Sequence, residues 1–301
     1  MIDVSVVIVN WNAGAWLRRA VTSARAAGVA RSVEIIVVDN ASADGSASEL
    51  VLGADLRVIE NRDNVGFARA SNQGLRASRG RYALLLNPDA ELRPGALRAL
   101  TAFMDAEARA AAAGPALVNP DGTLQPSGGS FPSLRGLLAL HPALGRLLPP
   151  PDDHLRRRDF NEVAEVDEVS GACMIVRRAA IEQAGMLDEG FFLYFEDVDW
   201  CLRLKRAGWK VFYVPQARVT HQWRSRTDPT PDARLHHYRS QRYYVRKHFG
   251  KGWFLVLGAL GVAVHGGLLA KAGVRCLLDP TPSRRREVAG YRQLLRACRG
   301  R

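Results

Sequence analysis

The chain has 301 residues, 47% of them apolar, enough to bury the core of one large α/β domain or two smaller ones. Lys and Arg number 42 against 30 Asp and Glu, and the resulting +12 charge favours anionic partners: nucleotide phosphates, nucleic acid or an anionic membrane surface. Cys173, Cys201, Cys276 and Cys298 share no C-x-x-C spacing, which argues against a disulfide framework or zinc site and fits a reducing compartment.

The N-terminus does not read as a secretory leader, since Asp3 stands where positive charge is required and the apolar run from Val4 to Val9 ends at polar Asn10. That β-branched run predicts a strand buried on both faces. Trp16, Ala20 and Ala24 follow at helical spacing. Val33 to Val38 predicts a second buried strand ending at Asp39, and Asp44 is placed to cap a following helix. Leu56 to Glu60 reads as a strand, Phe67 to Ser78 as a helix and Tyr82 to Leu86 as a fourth strand. Pro94 opens another helix. This alternation implies a parallel sheet with right-handed crossovers and ligands at the strand ends.

From Pro120 to Asp167 the pattern breaks. Gly128-Gly129, the prolines from Pro149 to Pro151 and the basic run Arg156 to Arg158 read as a long insertion. Order is expected again in a strand from Met174 to Val176 and helices from Arg178 to Ala184 and Val198 to Ala207. A strand from Val211 to Val214 and a helix from Asp232 to Phe249 follow. Trp253 to Ala270 is apolar apart from His265. Lys247, Lys251, Lys271, Arg275 and the run Arg284 to Arg286 flank it. Apolar surface with a basic rim predicts contact with an anionic membrane in preference to a full span, against the plainer reading of a core helix with a solvated tail.

Three acidic positions stand out. Asp39 ends a buried strand, where a carboxylate can bind a base or ribose, or simply cap a turn. Asp89, in Asn87-Pro88-Asp89, can hold a divalent cation beside a diphosphate, or belong to a turn. Glu196 and Asp197 lie among Phe191, Phe192, Tyr194, Phe195 and Trp200. Desolvation there would raise their basicity, though acids also favour a helix start. No G-x-G-x-x-G, Walker loop, H-E-x-x-H or G-x-S-x-G is present, so hydride transfer, ATP hydrolysis and serine hydrolysis lose support. No nucleic-acid motif accompanies the charge.

Taken in order, residues 3 to 225 resemble the family 2 inverting glycosyltransferases of the GT-A fold. The segments that carry the likeness are Val4 to Asn12, Val37 to Ser46, Asn64 to Gly74, Leu84 to Asp89 and Glu196-Asp197. The resemblance implies a mainly parallel central sheet flanked by helices. It also implies a nucleotide-sugar half at 1–119, an acceptor and catalytic half at 120–250, and a C-terminal apolar and basic helical extension at 251–301. By the same likeness Asp197 is the catalytic base with Glu196 beside it, and Asp89 with His221 holds Mg²⁺ or Mn²⁺. Asn10, Asn12, Asp39, Asn40, Ser42, Asn64, Gly66, Asn72 and Asn87 line the donor. Asn87 departs from the D-x-D pattern and removes one negative charge, which weakens metal affinity or frees Asn87 to contact the sugar.

The wording N-W-N, D-N-x-S, N-V-G-F-A and N-P-D is most similar to bacterial rhamnosyltransferases using dTDP-L-rhamnose, with related galactosyl- and N-acetylglucosaminyltransferases sharing much of it. No Q-x-x-R-W motif is present, although Gln241-Arg242 and Gln222-Trp223-Arg224 look like pieces of it, so one sugar is expected per encounter. The implied partners are a nucleoside-diphosphate sugar, a glycan or lipid-linked glycan acceptor and the cytoplasmic membrane face, with no nucleic acid. A non-catalytic nucleotide-sugar or glycan binder on the same fold is the rival reading.

Overall fold

A computed structural model describes residues 2–27, 32–51, 53–139, 161–223 and 231–298. Its elements run β1 (Val4–Asn10), α1 (Ala15–Ala27), β2 (Val33–Asp39), β3 (Leu56–Glu60), α2 (Phe67–Ala77), β4 (Tyr82–Leu86), β5 (Ala90–Leu92), α3 (Ala96–Ala106) and β6 (Ala110–Val118). Then come β7 (Gly128–Gly129), α4 (Leu134–Ala139), β8 (Ala164–Val166), β9 (Glu168–Val169), β10 (Cys173–Arg177), α5 (Arg178–Ala184), α6 (Glu196–Arg206) and β11 (Lys210–His221). The last three helices are α7 (Pro231–His248), α8 (Lys251–Leu278) and α9 (Pro282–Cys298).

These residues form two compact units. The first comprises 2–131, 161–192 and 196–223, and the second 132–139, 193–195 and 231–298. In the first, nine strands make one sheet in the order β3-β2-β1-β4-β10-β6-β11-β5, with β8 paired to β11. β1 through β4 are parallel, as the alternating pattern predicts, because every residue of β1 and β4 is buried and helices cover both faces. β10 runs antiparallel between β4 and β6, and β5 runs antiparallel to β11, so the sheet is mixed beyond β4. Strand order reverses between β1 and β4. Their C-terminal ends therefore open the crevice where ligands bind in such sheets.

Three sequence expectations change. Residues 43–49 form turns, not a helix capped by Asp44. The Asp44 carboxylate accepts from Gly14 N, Ser46 N and Ser46 Oγ, and Gly45 takes a left-handed φ of +74°. The Pro120 to Asp167 insertion contains regular elements among its described residues. β7 pairs with β9, β8 pairs with β11, and α4 is helical. Pro149 to Pro151 and Arg156 to Arg158 lie outside the described residues. Finally, α7 groups with α8 and α9, so the boundary falls before it and not at 250. Arg242 of α7 donates to the Ala297 and Cys298 carbonyls at the end of α9, and its guanidinium sits 4.0 Å from the Phe254 ring centre. Arg242 is thereby a structural pin and no part of a processive-synthase motif.

Candidate active site

Strand ends and loops of the first unit build the site. The ends of β1 and β2 meet in parallel register, Asn10 opposite Asp39. Asn10 Nδ2 lies 2.7 Å from Asp39 Oδ1, 3.0 Å from Ser42 Oγ and 2.8 Å from Ser46 Oγ. Asp39 Oδ2 accepts from Ser42 N, and Ser42 Oγ accepts from Asn12 N. Asn12 Oδ1 in turn accepts from Ala43 N. Asn10, Asn12, Asp39 and Ser42 are thus one polar cluster at a strand end.

The other donor-lining candidates do different work. Asn40 is buried, and its Oδ1 accepts from Val65 N and Asn61 Nδ2 while its Nδ2 donates to Asn64 Oδ1. Asn40 and Asn64 therefore lock the 61–66 loop together. Gly66 has φ +87°, and a Cβ there would lie 2.6 Å from the Phe192 carbonyl oxygen, so no other residue fits this close approach. Buried Asn72 exchanges hydrogen bonds with the Leu187 backbone and donates to Glu189. Asn40 and Asn72 commit both ends of their amides inside the protein, and Asn64 Oδ1 accepts from Asn40 Nδ2 and Gly66 N.

Asp89 and His221 are brought together by strand pairing. β5 binds the end of β11 with Ala90 opposite His221. That end is reached through a bulge in β11, where Val214 and Arg218 face consecutive residues of β6, Pro115 and Ala116. His221 Nε2 comes to 3.4 Å from Asp89 Oδ1 and 3.3 Å from Asn87 Nδ2.

The sequence reading missed Gln125. This buried amide donates from Nε2 to the His221 carbonyl at 2.6 Å and to Asn119 Oδ1 at 2.7 Å. Its Oε1 is consequently the atom facing His221 Nδ1 at 2.9 Å, and it must accept the Nδ1 proton. In the neutral ring this leaves the Nε2 lone pair toward Asp89, which is the tautomer a metal-binding imidazole needs. One carboxylate oxygen and one imidazole nitrogen are a chemically fitting pair for a divalent cation that also takes diphosphate oxygens. Among the described residues no group of three or more His, Cys, Asp or Glu is gathered as a self-sufficient metal cage. Gln125→Leu is expected to weaken Mn²⁺-dependent nucleotide binding about 10–100-fold, the range for an outer-shell partner. Titration calorimetry of the two proteins decides, and equal metal responses would remove Gln125 from this role.

Glu196 and Asp197 open α6, where the helix N-terminus favours negative charge. Asp197 is half-buried. Its Oδ2 accepts from Gly171 N at 2.8 Å and its Oδ1 from Val198 N at 2.9 Å. Burial raises its pKa despite these donors. Glu196 is buried, with Oε2 unpartnered among the described residues. Burial first, and the Asp197 charge second, push it well above the usual carboxylate range. Trp200 Nε1 bonds the Gly185 carbonyl, Phe192 packs at Gly66, and the Phe195 ring stacks near His237 and Tyr244. Asp199 is committed to Arg203 at 2.8 Å. Tyr194 and Phe195 take left-handed φ values of +70° and +67°, strain of the kind stored beside functional groups.

The Asp89–His221 pair and the Glu196–Asp197 pair share a support. Asn87 N donates to the Ala172 carbonyl, and the adjacent Gly171 N donates to Asp197, so residues 171–172 tie the 87–89 turn to the start of α6. Arg224 and Arg226, basic loop residues of the kind that can meet phosphates, lie outside the described residues.

The family model "Glycosyltransferase like family 2" matches residues 3–243. The N-acetylglucosaminyl-diphospho-decaprenol L-rhamnosyltransferase of Mycobacterium tuberculosis is 33% identical over 302 residues, covering 94% of this chain and 96% of that protein. The low-salt glycan biosynthesis hexosyltransferase Agl10 of Haloferax volcanii is 30% identical over 213 residues, 68% of this chain and 62% of its own length. A mannosyltransferase from Pyrobaculum calidifontis, solved with GDP-Man and Mn²⁺, shares the fold at a TM-score of 0.57 and 16% identity, covering 98% of this chain and 85% of its own.

Proposed function

The chain belongs to the family 2-like glycosyltransferases with the GT-A fold, and from that premise we propose that it transfers L-rhamnose from dTDP-L-rhamnose, with inversion, to a lipid-linked N-acetylglucosamine acceptor. The observation that carries the donor and acceptor classes is the near-complete coverage of the mycobacterial rhamnosyltransferase at 33% identity. Asp39 at the end of β2, Asp89 between β4 and β5, and Asp197 in the first turn of α6 support the chemistry.

In the proposed reaction the acceptor oxygen bonds to the anomeric carbon as the bond from that carbon to the diphosphate oxygen breaks. Asp197 takes the acceptor proton, and the nucleoside diphosphate leaves. The Asn10–Asp39–Ser42 cluster holds the nucleoside. Asp89 and His221 would hold Mg²⁺ or Mn²⁺, which when bound supplies positive charge to the leaving diphosphate. Each encounter adds one sugar, at the cytoplasmic face of the membrane where a lipid-linked acceptor is anchored.

Purified protein offered dTDP-L-rhamnose, UDP-galactose and UDP-N-acetylglucosamine with a prenyl-diphospho-N-acetylglucosamine acceptor tests this. The expected product carries one rhamnose, with anomeric configuration opposite to the donor's by NMR. Preference for a UDP-sugar overturns the donor, retained configuration overturns inversion, and donor binding without turnover favours a non-catalytic binder.

A further inference from the structure

By length and composition α8 could cross a bilayer, since its 28 residues include an apolar run from Gly252 to Ala270 broken only by His265. Its packing within the second unit points elsewhere. α9 folds back along it. At one end Arg275 pairs with Glu287 at 3.3 Å, and Arg284 donates to the Arg275 carbonyl at 3.2 Å. At the other, a Cβ on Gly258 would meet the Cys298 carbonyl at 3.2 Å, and one on Gly261 would meet the Cys298 sulfur at 2.7 Å. Those contacts fix the register. α9 lies beside α8 from Arg275 back to Gly258, about 26 Å at a rise of about 1.5 Å per residue.

α9 is the wrong neighbour for a membrane span. It carries Arg284, Arg285, Arg286, Arg292 and Arg296 against the single acid Glu287. In the register above, exposed Arg292 and Arg296 run beside the apolar middle of α8, where a crossing helix would hold them in hydrocarbon. The outward stripe of α8 is apolar at helical spacing: Val256, Ala259, Ala263, Ala270, Val274 and Leu278 are all exposed. Leu277 is 85% exposed, and half-exposed Trp253 stands near the start, a residue favoured at headgroup depth.

We propose that α8 and α9 form an in-plane hairpin that docks on an anionic lipid surface, α8 dipping its apolar stripe and the α9 arginines meeting headgroup phosphates, without crossing the bilayer. Charge complementarity selects the occupant, because an apolar stripe alone would also fit a second copy of the chain. The idea deepens the lipid-linked acceptor reading and rests on it for its purpose, but it is tested with neither donor nor acceptor present.

The full chain is mixed with phosphatidylglycerol–phosphatidylcholine vesicles and with phosphatidylcholine vesicles, and sedimented. Capture by the anionic vesicles is expected, with at least a tenfold loss of affinity in Arg285→Glu/Arg286→Glu. Asp197→Asn should bind as wild type, which separates this failure from a failure of the catalytic reading. Topology is read in sealed vesicles with Ser283→Cys and Gly252→Cys in a Cys276→Ser background, the other three cysteines being buried. Labelling of both by a membrane-impermeant maleimide added outside supports the hairpin. Protection of either one, equal capture by neutral vesicles, or a dimer that forms without lipid and abolishes capture overturns it.

Discussion

Asp197→Asn is expected to lower turnover by at least the roughly 10²–10⁴-fold that a positioned base contributes, while the protein folds normally. The side chain keeps its shape, but its single oxygen can serve Gly171 N or Val198 N and not both, so the loss of basicity comes with the loss of one backbone hydrogen bond. The neighbouring acid sharpens the test. A buried and a half-buried carboxyl side by side cannot both ionise cheaply. Asp197 has two backbone donors to stabilise charge, whereas Glu196 has an unpartnered oxygen and the deeper burial. The shared proton therefore belongs on Glu196 and the charge on Asp197. Glu196→Gln, a neutral mimic, should keep turnover within about tenfold of wild type, far from the Asp197→Asn loss. Because burial raises the Asp197 pKa, the acid limb of kcat/KM should lie above the ordinary carboxylate range. Activity is lost as pH falls through that raised value, since a base works only when deprotonated. Near wild-type turnover in Asp197→Asn would sink the assignment, and an equal collapse in Glu196→Gln would show that both carboxylates act charged.

What the sequence makes legible follows from how far apart the determinants lie. β1, β2 and β4 are readable because a strand buried on both faces needs continuous apolar residues, and each supplies its own. β6 is hidden because its run of alanines has helical preference. It is a strand only through its neighbours, with Gly114 packed so tightly that a Cβ would lie 2.7 Å from the Val169 Cβ. β11 is legible from Val211 to Val214 and then interrupted by Pro215, yet beyond the bulge it continues to His221. The motif order places Asp39, Asp89 and Asp197 but cannot separate residues that meet a ligand from those that brace a loop. Asn40 and Asn72 look like ligand contacts in sequence, and their amides are spent inside the fold. Gln125 has the opposite fate. It sits 96 residues from His221 in a stretch that reads as an insertion, and only tertiary pairing gives it a role.

Asp89→Ala should remove the increment in dTDP affinity that Mg²⁺ or Mn²⁺ provides, by more than the roughly 100-fold upper end for an outer-shell partner. The reason is the charge of the site. Asn87 is neutral, and His221 presents a neutral nitrogen lone pair, so Asp89 is the anionic member of this trio. A cation held by one carboxylate and one imidazole needs the nucleotide's diphosphate oxygens to complete its shell. Metal and nucleotide should therefore bind cooperatively, each weakly alone, and calorimetry of dTDP with and without Mn²⁺ measures that coupling. Wild type should show a large difference between the two titrations and Asp89→Ala almost none. Asn87→Asp carries the opposite sign. It adds a second carboxylate beside His221, tightening Mn²⁺ binding in the absence of nucleotide and reducing the coupling. If Asn87 also contacts the sugar, the same variant will bind metal more tightly and turn over more slowly. Unchanged dTDP binding in Asp89→Ala with and without the ion would take Asp89 out of the metal site and leave His221 as a structural partner of Gln125.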